Sequence, residues 1–365
     1  MSGLSDCFSE LDDPRALNRV YRLGDLIVLM LAATLCGATT ASDMALFAKL
    51  RKPVLNQLVA YGRPPSHDTF SRLLRLLDPK VFAKTFAMFA EAFAKALAGD
   101  GIKPGASVVA LDGKALRRAY ERGLAHHPPL VVSAFAAEAK LCLAAQAVGD
   151  ENEVEAALKI VELLDLTGKI VTADALHCHH RMTEAVMRRK ADYVLALKAN
   201  RPDWLASAEQ HFAYPPNKSF GKSSTKDLAL AHGRYEWRKA EVVPALAPLT
   251  QGHAAYIRIT SKRGADQPAT RYYMASRIFP AKQALAIVRS HWQIENNLHW
   301  MLDVHLGEDT ARARKDNAPA NIAMLKRIAR NLLQTADQPN TPISHRLRKC
   351  TWDNAYLIHA LSHMR

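Results

Sequence analysis

Over the first hundred residues, apolar positions recur three and four apart, the period that buries one face of an α-helix. The pattern predicts helices over Leu23–Cys36, Ser42–Lys52, Ser66–Leu77 and Pro79–Ala98. Two of their starts are marked chemically. Asp78 stands before Pro79 as a capping carboxylate ahead of a residue whose fixed φ suits the first helical position, and Ser66 stands where a hydroxyl cap is needed. The period then changes. Val108–Leu111, Leu130–Phe135 and Leu141–Val148 are short runs rich in Val and Leu, bounded by Gly, Pro or charge, and they read as three consecutive strands. A helix at Asn152–Leu164, a strand at Lys169–Ala173, a helix at Arg181–Lys190 and a strand at Tyr193–Leu197 come next. Three strands and then alternating helix and strand describe an α/β fold, a mixed sheet flanked by helices.

From Asn200 to Pro280 the texture shifts again, with Pro215-Pro216, Lys and Ser over 218–226, and β-like runs at Tyr235–Val243, Ala255–Thr260 and Arg271–Ala275. Helical spacing returns at Ala281 and continues, broken near Pro319, to Leu333. The expected division is a helical N-terminal region over 1–105, a first core part over 106–199, a β-rich insertion subdomain over 200–280, and a second core part over 281–365 with a basic C-terminal region.

Charge adds a partner to this picture. The 49 Lys and Arg against 35 Asp and Glu give a net +14, an excess that favours a polyanion, nucleic acid first and an anionic membrane second. The apolar run Leu26–Cys36 falls short of the roughly 20 residues that cross a bilayer. It also comes after Asp6, Glu10, Asp12 and Asp13 where a signal peptide would carry basic residues, so no membrane is expected. Five scattered cysteines without a C-x-x-C pair read as reduced thiols in the cytoplasm.

The chemistry lies in the acids. Phosphodiester cleavage by two metal ions needs carboxylates from separate elements converging on one point, and Mg²⁺, a hard cation, suits carboxylate oxygen. Asp112 comes directly after the apolar run Val108–Leu111, and Asp174 directly after Ile170–Ala173, so each is expected to end a buried strand. An acid there is costly unless paired, hydrogen-bonded or metal-bound, although either alone also reads as a cap for the next turn of the chain. On a helical wheel of about 3.6 residues per turn over Ile287–Val304, Ile287, Ile294, Leu298 and Met301 form an apolar stripe. His291, Glu295 and His299 lie beside it, and Trp292 and Trp300 favour a packed setting over a solvated face.

The segment from His291-Trp-Gln-Ile-Glu-Asn to Val304, with Glu308-Asp309 and Arg312-Ala-Arg-Lys315 after it, resembles the transposases of the H-repeat-associated insertion-sequence group. So do Leu111-Asp-Gly-Lys114, Ala173-Asp-Ala175, Tyr193–Lys198, His232-Gly-Arg234 with Glu236 and Arg238, Leu35–Ala38 and Pro65–Phe70, in the family's order along nearly the whole chain. The resemblance implies an RNase H-like core and a DDE triad of Asp112, Asp174 and Glu295 as catalytic and metal-holding residues. It also implies two Mg²⁺ (or Mn²⁺) ions, transposon-end and target DNA as partners, and a homodimer in the synaptic complex of a bacterial, nucleoid-associated protein. Lys114, Lys198, Arg234, Arg238, His291, His299, Arg312, Arg314 and Lys315 are the expected DNA contacts. The basic positions from 312 to 349, which also include Lys326, Arg327, Arg330 and Arg346, are expected to track phosphates. Ser66–Leu77 could belong to a helix-turn-helix-like reader. Consecutive His177-Cys178-His179-His180 cannot easily share one tetrahedral zinc, so His177 is read with Asp174 instead. Two rivals stay open, a metal-dependent nuclease without strand transfer and a transposase-derived DNA-binding protein that has lost cleavage.

Overall fold

The computed structural model describes residues 8, 11–16, 19–99, 108–119, 128–149, 151–214, 223–231, 234–338 and 340–362. Cys7, His232 and Gly233, the acids Asp6 and Glu10, and the Pro215-Pro216 pair lie outside them.

Helices come first. α1 (Leu23–Leu35) is apolar on nearly all sides and is accordingly buried along almost its whole length. α2 (Ala41–Leu50) starts on a reciprocal Thr40–Asp43 capping box, and α3 (Lys52–Leu55) comes at once after it. The two expected starts hold: the Ser66 hydroxyl accepts from the Thr69 N–H at the head of α4 (His67–Leu76), and Asp78 accepts from the Lys80 N–H at the head of α5 (Pro79–Gly99). Among the described residues, no helix is long and apolar enough to cross a membrane.

The sheet then forms in the expected order: β1 (Val108–Ala115), β2 (Leu130–Ala136), β3 (Leu141–Val148), α6 (Glu153–Leu163), β4 (Ile170–Ala173), α7 (His180–Arg188) and β5 (Asp192–Leu197). β1, β2 and β3 pair antiparallel, while β4 joins β1 and β5 joins β4 in parallel. The order β3-β2-β1-β4-β5 is RNase H-like. Alternation sorts the strand residues between two faces. Val109, Val171, Tyr193 and Leu195 share the larger core with Met182 and Val186 of α7, whereas Val108, Ile170 and Val194 pack in a second cluster with Ile287 and Val288.

The stretch read as β-rich holds more regular structure than its texture indicated. It opens with α8 (Pro202–Ala213), begun by a proline in the first turn, and continues through β6 (Ser223–Ala231), β7 (Arg234–Pro244), β8 (Ala255–Arg263) and β9 (Ala269–Ala275). These strands extend the same sheet, because β9 pairs antiparallel with β5 and the order runs on as β9-β8-β7-β6. Exposed Lys and Ser concealed β6, since one of its faces stays toward solvent and only alternate residues pack.

α9 (Ala281–His291) lies across this sheet, touching β1, β4, β6, β7 and β8. After it come α10 (Trp300–Val304), α11 (Ala318–Thr335), α12 (Ile343–Trp352) and α13 (Asn354–Ser362). Pro319 stands in the first turn of α11, so it starts that helix and does not break a longer one. α11 packs on α1, α4, α5 and β3, which ties the N-terminal helices to the sheet. There Asn331 pairs its amide with both backbone groups of Cys142 (2.9 and 2.7 Å), closing the open edge of β3.

Candidate active site

The parallel pairing of β1 with β4 runs from Val108↔Ile170 to Leu111↔Ala173. The next residues of the two neighbouring strands are Asp112 and Asp174, so register alone places them side by side at one end of the sheet. β1 does not end there as the apolar run suggested. β2 goes on pairing with it to Ala115↔Leu130 and holds Asp112 opposite Ser133, so Asp112 is fixed within a strand that has lost only its parallel neighbour. Asp174 caps a short 3₁₀ turn (Ala175–His177) by accepting from the Leu176 N–H at 3.0 Å. Capping and proximity to Asp112 therefore coexist at one residue.

The third acid arrives from the other side. The expected single helix over Ile287–Val304 is interrupted: α9 ends at His291, and Glu295–His299 forms one π turn in which the Trp300 N–H bonds the Glu295 carbonyl. Such widened turns recur at functional sites and leave no mark in a hydrophobic wheel. Ile287, Ile294 and Leu298 are buried as the wheel required. The tryptophans are not, since Trp292 and Trp300 each remain 50% exposed. Each instead makes a contact at the surface, Trp292 with the Arg271 guanidinium 5.8 Å from its ring and Trp300 edge-on to His305 at 5.2 Å.

Glu295 reaches Asp112 through His299. The His299 Nδ1 lies 3.5 Å from an Asp112 oxygen and 3.5 Å from a Glu295 oxygen. One donor atom from each of Asp112, Glu295 and His299 can be chosen so that all lie within 4.8 Å of one another. The Asp174 carboxylate is not part of that trio, but its charge is felt at Asp112. Burial pushes the Asp112 carboxyl up to about 8, reinforced by its hydrogen bond to Glu295 and by the charges of Glu295 and Asp174. Glu295 moves the other way, down to about 2, chiefly through the His299 ring 3.5 Å away. Together these describe one proton held by the pair and resting on Asp112, with Glu295 ionised.

His291 is tied to β4 by a contact of 3.1 Å between its Nδ1 and the Thr172 hydroxyl, and burial lowers its pKa to about 4, so it is neutral at pH 7. Lys114, on the same strand face as Asp112, is buried and donates to Asp303 (2.8 Å) and Asp309 (3.3 Å). Its ammonium anchors α10 and the loop after it beside the acids. Lys198 is exposed just past the end of β5. Arg238 is paired with Glu236 and lines an open cleft of about 930 Å³ with Arg263, Arg271, Arg289 and Trp292. Arg234 opens β7, but its side chain lies outside the described atoms. Arg312 and Lys315 are exposed, and Arg314 donates to the Arg118 carbonyl at 3.2 Å.

Of the basic stretch beyond them, Arg348 and Lys349 stay exposed but four cations do not. Lys326, Arg327, Arg330 and Arg346 are each at most 1% exposed. Arg327 pairs with buried Glu308 at 2.7 Å and donates to Ser133, the residue opposite Asp112, at 3.0 Å. Arg346 donates to the carbonyls of Leu333, Gln334, Gln338 and Thr341, gathering the end of α11 and the turn beyond it. These cations are committed to the fold, which a count of charges along the chain cannot reveal.

One acid was passed over as chemistry. Glu153, at the head of α6, lies over Gly113, where an added Cβ would stand only 2.4 Å from its carboxylate, and it lies 3.4 Å from His177. The sequence offered only an acidic first turn, which any helix start can carry. His179 caps α7 by accepting from the Met182 N–H (3.2 Å), His180 contacts Thr250 (3.0 Å), and Cys178 contacts Met274, so the His-Cys-His-His run disperses into packing. Cys36, Cys142, Cys178 and Cys350 are free.

An RNase H-like sheet that presents neighbouring acids at one end, with a third acid supplied by a helix, defines the class of DDE nucleotidyl-transfer enzymes. The chain belongs to the transposase DDE domain family, whose profile matches residues 103–332, and a DDE-transposase-associated domain matches residues 5–90. YncI of Escherichia coli O157:H7 is 27% identical, with 99% of this chain and 95% of that one covered. YhhI of Escherichia coli K12, named as H repeat-associated, is 28% identical, with 94% and 93% covered. Both bear transposase names. In the solved synaptic complex of piggyBac transposase with hairpin DNA, one chain aligns with 97% of this chain and over 76% of its own length. The TM-score is 0.41 and the identity 11%, too low to bear on site or mechanism. By family the protein is a DNA transposase, an enzyme class that uses divalent metal.

Proposed function

We propose that this chain is an insertion-sequence transposase that cuts the ends of its element and joins them to target DNA, with Asp112, Asp174 and Glu295 holding two Mg²⁺ or Mn²⁺ ions. The observation that carries the reading is geometric: Asp112 and Asp174 come next in register at the mouth of two parallel strands, and donor atoms of Asp112, Glu295 and His299 lie within 4.8 Å of one another. Metal-free, the cluster repels itself and is relieved by a shared proton and by the nearby His299 and Lys114. A hard divalent cation relieves it better, so the donor set fits the group the family requires. Bound there, the ions supply an activated water or 3′-hydroxyl and stabilise the leaving oxygen.

The residues do the rest. β1 and β4 fix the spacing of the two aspartates, while the His291–Thr172 contact pins the end of α9 so that the π turn delivers Glu295. Asp174 accepts the Leu176 N–H on one oxygen, which leaves its second oxygen for an ion. Hydrolysis at the element's end breaks the phosphodiester and frees a 3′-hydroxyl, which then attacks a target phosphate and displaces one of its oxygens. Lys198, Arg312 and Lys315, exposed around this end of the molecule, and Arg234, Arg238 and Arg314 are the proposed phosphate contacts. Residues 1–105 are proposed to read the element's end, 106–199 with 281–365 to form the catalytic core, and 200–280 to act as the insertion. Two ends brought together imply at least a homodimer on DNA.

The test is Mg²⁺-dependent cleavage of a fragment carrying the native flanking sequence. Asp112→Asn, Asp174→Asn and Glu295→Gln should each abolish cutting while DNA binding persists. Cleavage without joining identifies a plain nuclease, and binding without cleavage by the native chain identifies a lapsed enzyme. Near-normal cutting by any of the three variants removes that residue from the site.

A further inference from the structure

The most unusual group beside the acids is a histidine. His299 is 5% exposed, within the π turn that also carries Glu295. Its Nε2 is buried without a hydrogen-bond partner, so the engaged side of the ring is Nδ1, directed at Asp112 and Glu295 alike. Both distances are 3.5 Å, longer than the roughly 2.7–3.2 Å of a good N–H···O bond. They suit a shared ion better. Ligands held at about 2.0–2.2 Å from one cation and at right angles to each other stand about 3 Å apart, so each of the two histidine–carboxylate pairs closes on an ion by about half an ångström.

We infer that His299 is a nitrogen ligand to an ion held by Asp112 and Glu295, so that the site combines imidazole with carboxylates and leans from Mg²⁺ toward first-row transition ions such as Mn²⁺. Mg²⁺ is hard and keeps oxygen ligands, whereas imidazole favours transition ions. The inference rests on the metal-site reading proposed above, and adds to it a donor atom that three acids alone do not supply. The local backbone is compatible with it, because Glu295 and His299 stand four residues apart and the π turn keeps both toward the same point.

The experiment is electron spin-echo envelope modulation on the full-length protein loaded with Mn²⁺. Native protein should show modulation from a directly bound ¹⁴N, replaced by the ¹⁵N pattern when histidine is ¹⁵N-labelled. His299→Gln should lose it, and His291→Gln should keep it. Titration should show Mn²⁺ affinity falling on the order of ten-fold or more in His299→Gln, with Mg²⁺ affinity falling less. The labelled native protein and His291→Gln carry the test if His299→Gln does not fold. Mn²⁺ that binds natively, is lost in Asp112→Asn and yet shows no nitrogen coupling overturns the ligand while leaving the acid site standing. Coupling abolished by His291→Gln while Mn²⁺ stays bound with native affinity also overturns it. No Mn²⁺ bound, or binding indifferent to Asp112→Asn, overturns the acid site and the nitrogen ligand with it.

Discussion

Divalent metal should enter this site only by expelling a proton. In the metal-free protein the Asp112 carboxyl is raised to about 8 by burial and by its acidic neighbours. At pH 7 it is therefore largely protonated, and a metal ion that needs the carboxylate must release a proton on binding. Apparent Mg²⁺ affinity should then fall about ten-fold for each pH unit below 8, since each unit multiplies the competing protons by ten. The same shift acts on stability. Asp112 holds its proton more tightly folded than unfolded, so its contribution is fully present below its ordinary value of 3.8 and is lost as pH rises toward about 8. At about 1.4 kcal/mol per unit, the loss is on the order of several kcal/mol across that window. Glu295, lowered to about 2, behaves oppositely: its contribution is present above its ordinary 4.5 and lost as pH falls, a window that does not overlap that of Asp112 above pH 5. Calorimetric Mg²⁺ titration at pH 7 in buffers of different ionisation enthalpy counts the protons directly. Thermal melts of metal-free native protein and Asp112→Asn from pH 5 to 8 read the stability, and the variant should lose the downward slope. Metal binding without proton release, or affinity equal at pH 6 and pH 8, would refute the shared-proton site.

Three other perturbations test the surroundings. Glu308→Gln leaves the Arg327 guanidinium buried without its carboxylate and should cost about 3–5 kcal/mol in urea unfolding, while a cost under about 1 kcal/mol would show that the pair is dispensable. Asn331→Leu strands the N–H and carbonyl of Cys142 at the β3 edge and should cost about 2–4 kcal/mol by the same assay, with hydrogen exchange rising first at that amide. Neutralising Arg312, Arg314 and Lys315 together should weaken DNA binding without regard to sequence and reduce the salt slope of log K by about 0.9 for each phosphate no longer neutralised. An unchanged slope would leave these three as solvated residues.

How legible this protein is depends on whether the signal is local. The strands of the core could be read because Val108–Leu111 and Ile170–Ala173 are buried on both faces and so appear as runs that are apolar but for Thr172, each with an acid directly after it. The β6 strand and α8 escaped because their residues pack on one side only and sit among Lys, Ser and Pro. The π turn at Glu295–His299 escaped because a regular wheel already aligned Glu295 with His299, and one extra residue in the turn leaves that alignment standing. The basic stretch misled for a physical reason. Arg327, Arg330 and Arg346 are long enough to reach carbonyls and a buried carboxylate from within the core, a destination set by Glu308 and by the ends of other elements far away in sequence. Glu153 shows the same limit, since its place over Gly113 comes from how α6 meets β1 and not from any spacing along the chain.

The most direct measurement is the anomalous scattering of Mn²⁺ in crystals of the full-length protein bound to its own element's end. Mn²⁺ peaks are expected between Asp112 and Glu295, with an oxygen of the Asp174 carboxylate on an ion. Peaks held elsewhere, or an Asp174 with neither oxygen on an ion when metal and DNA are in place, would contradict the three-acid site.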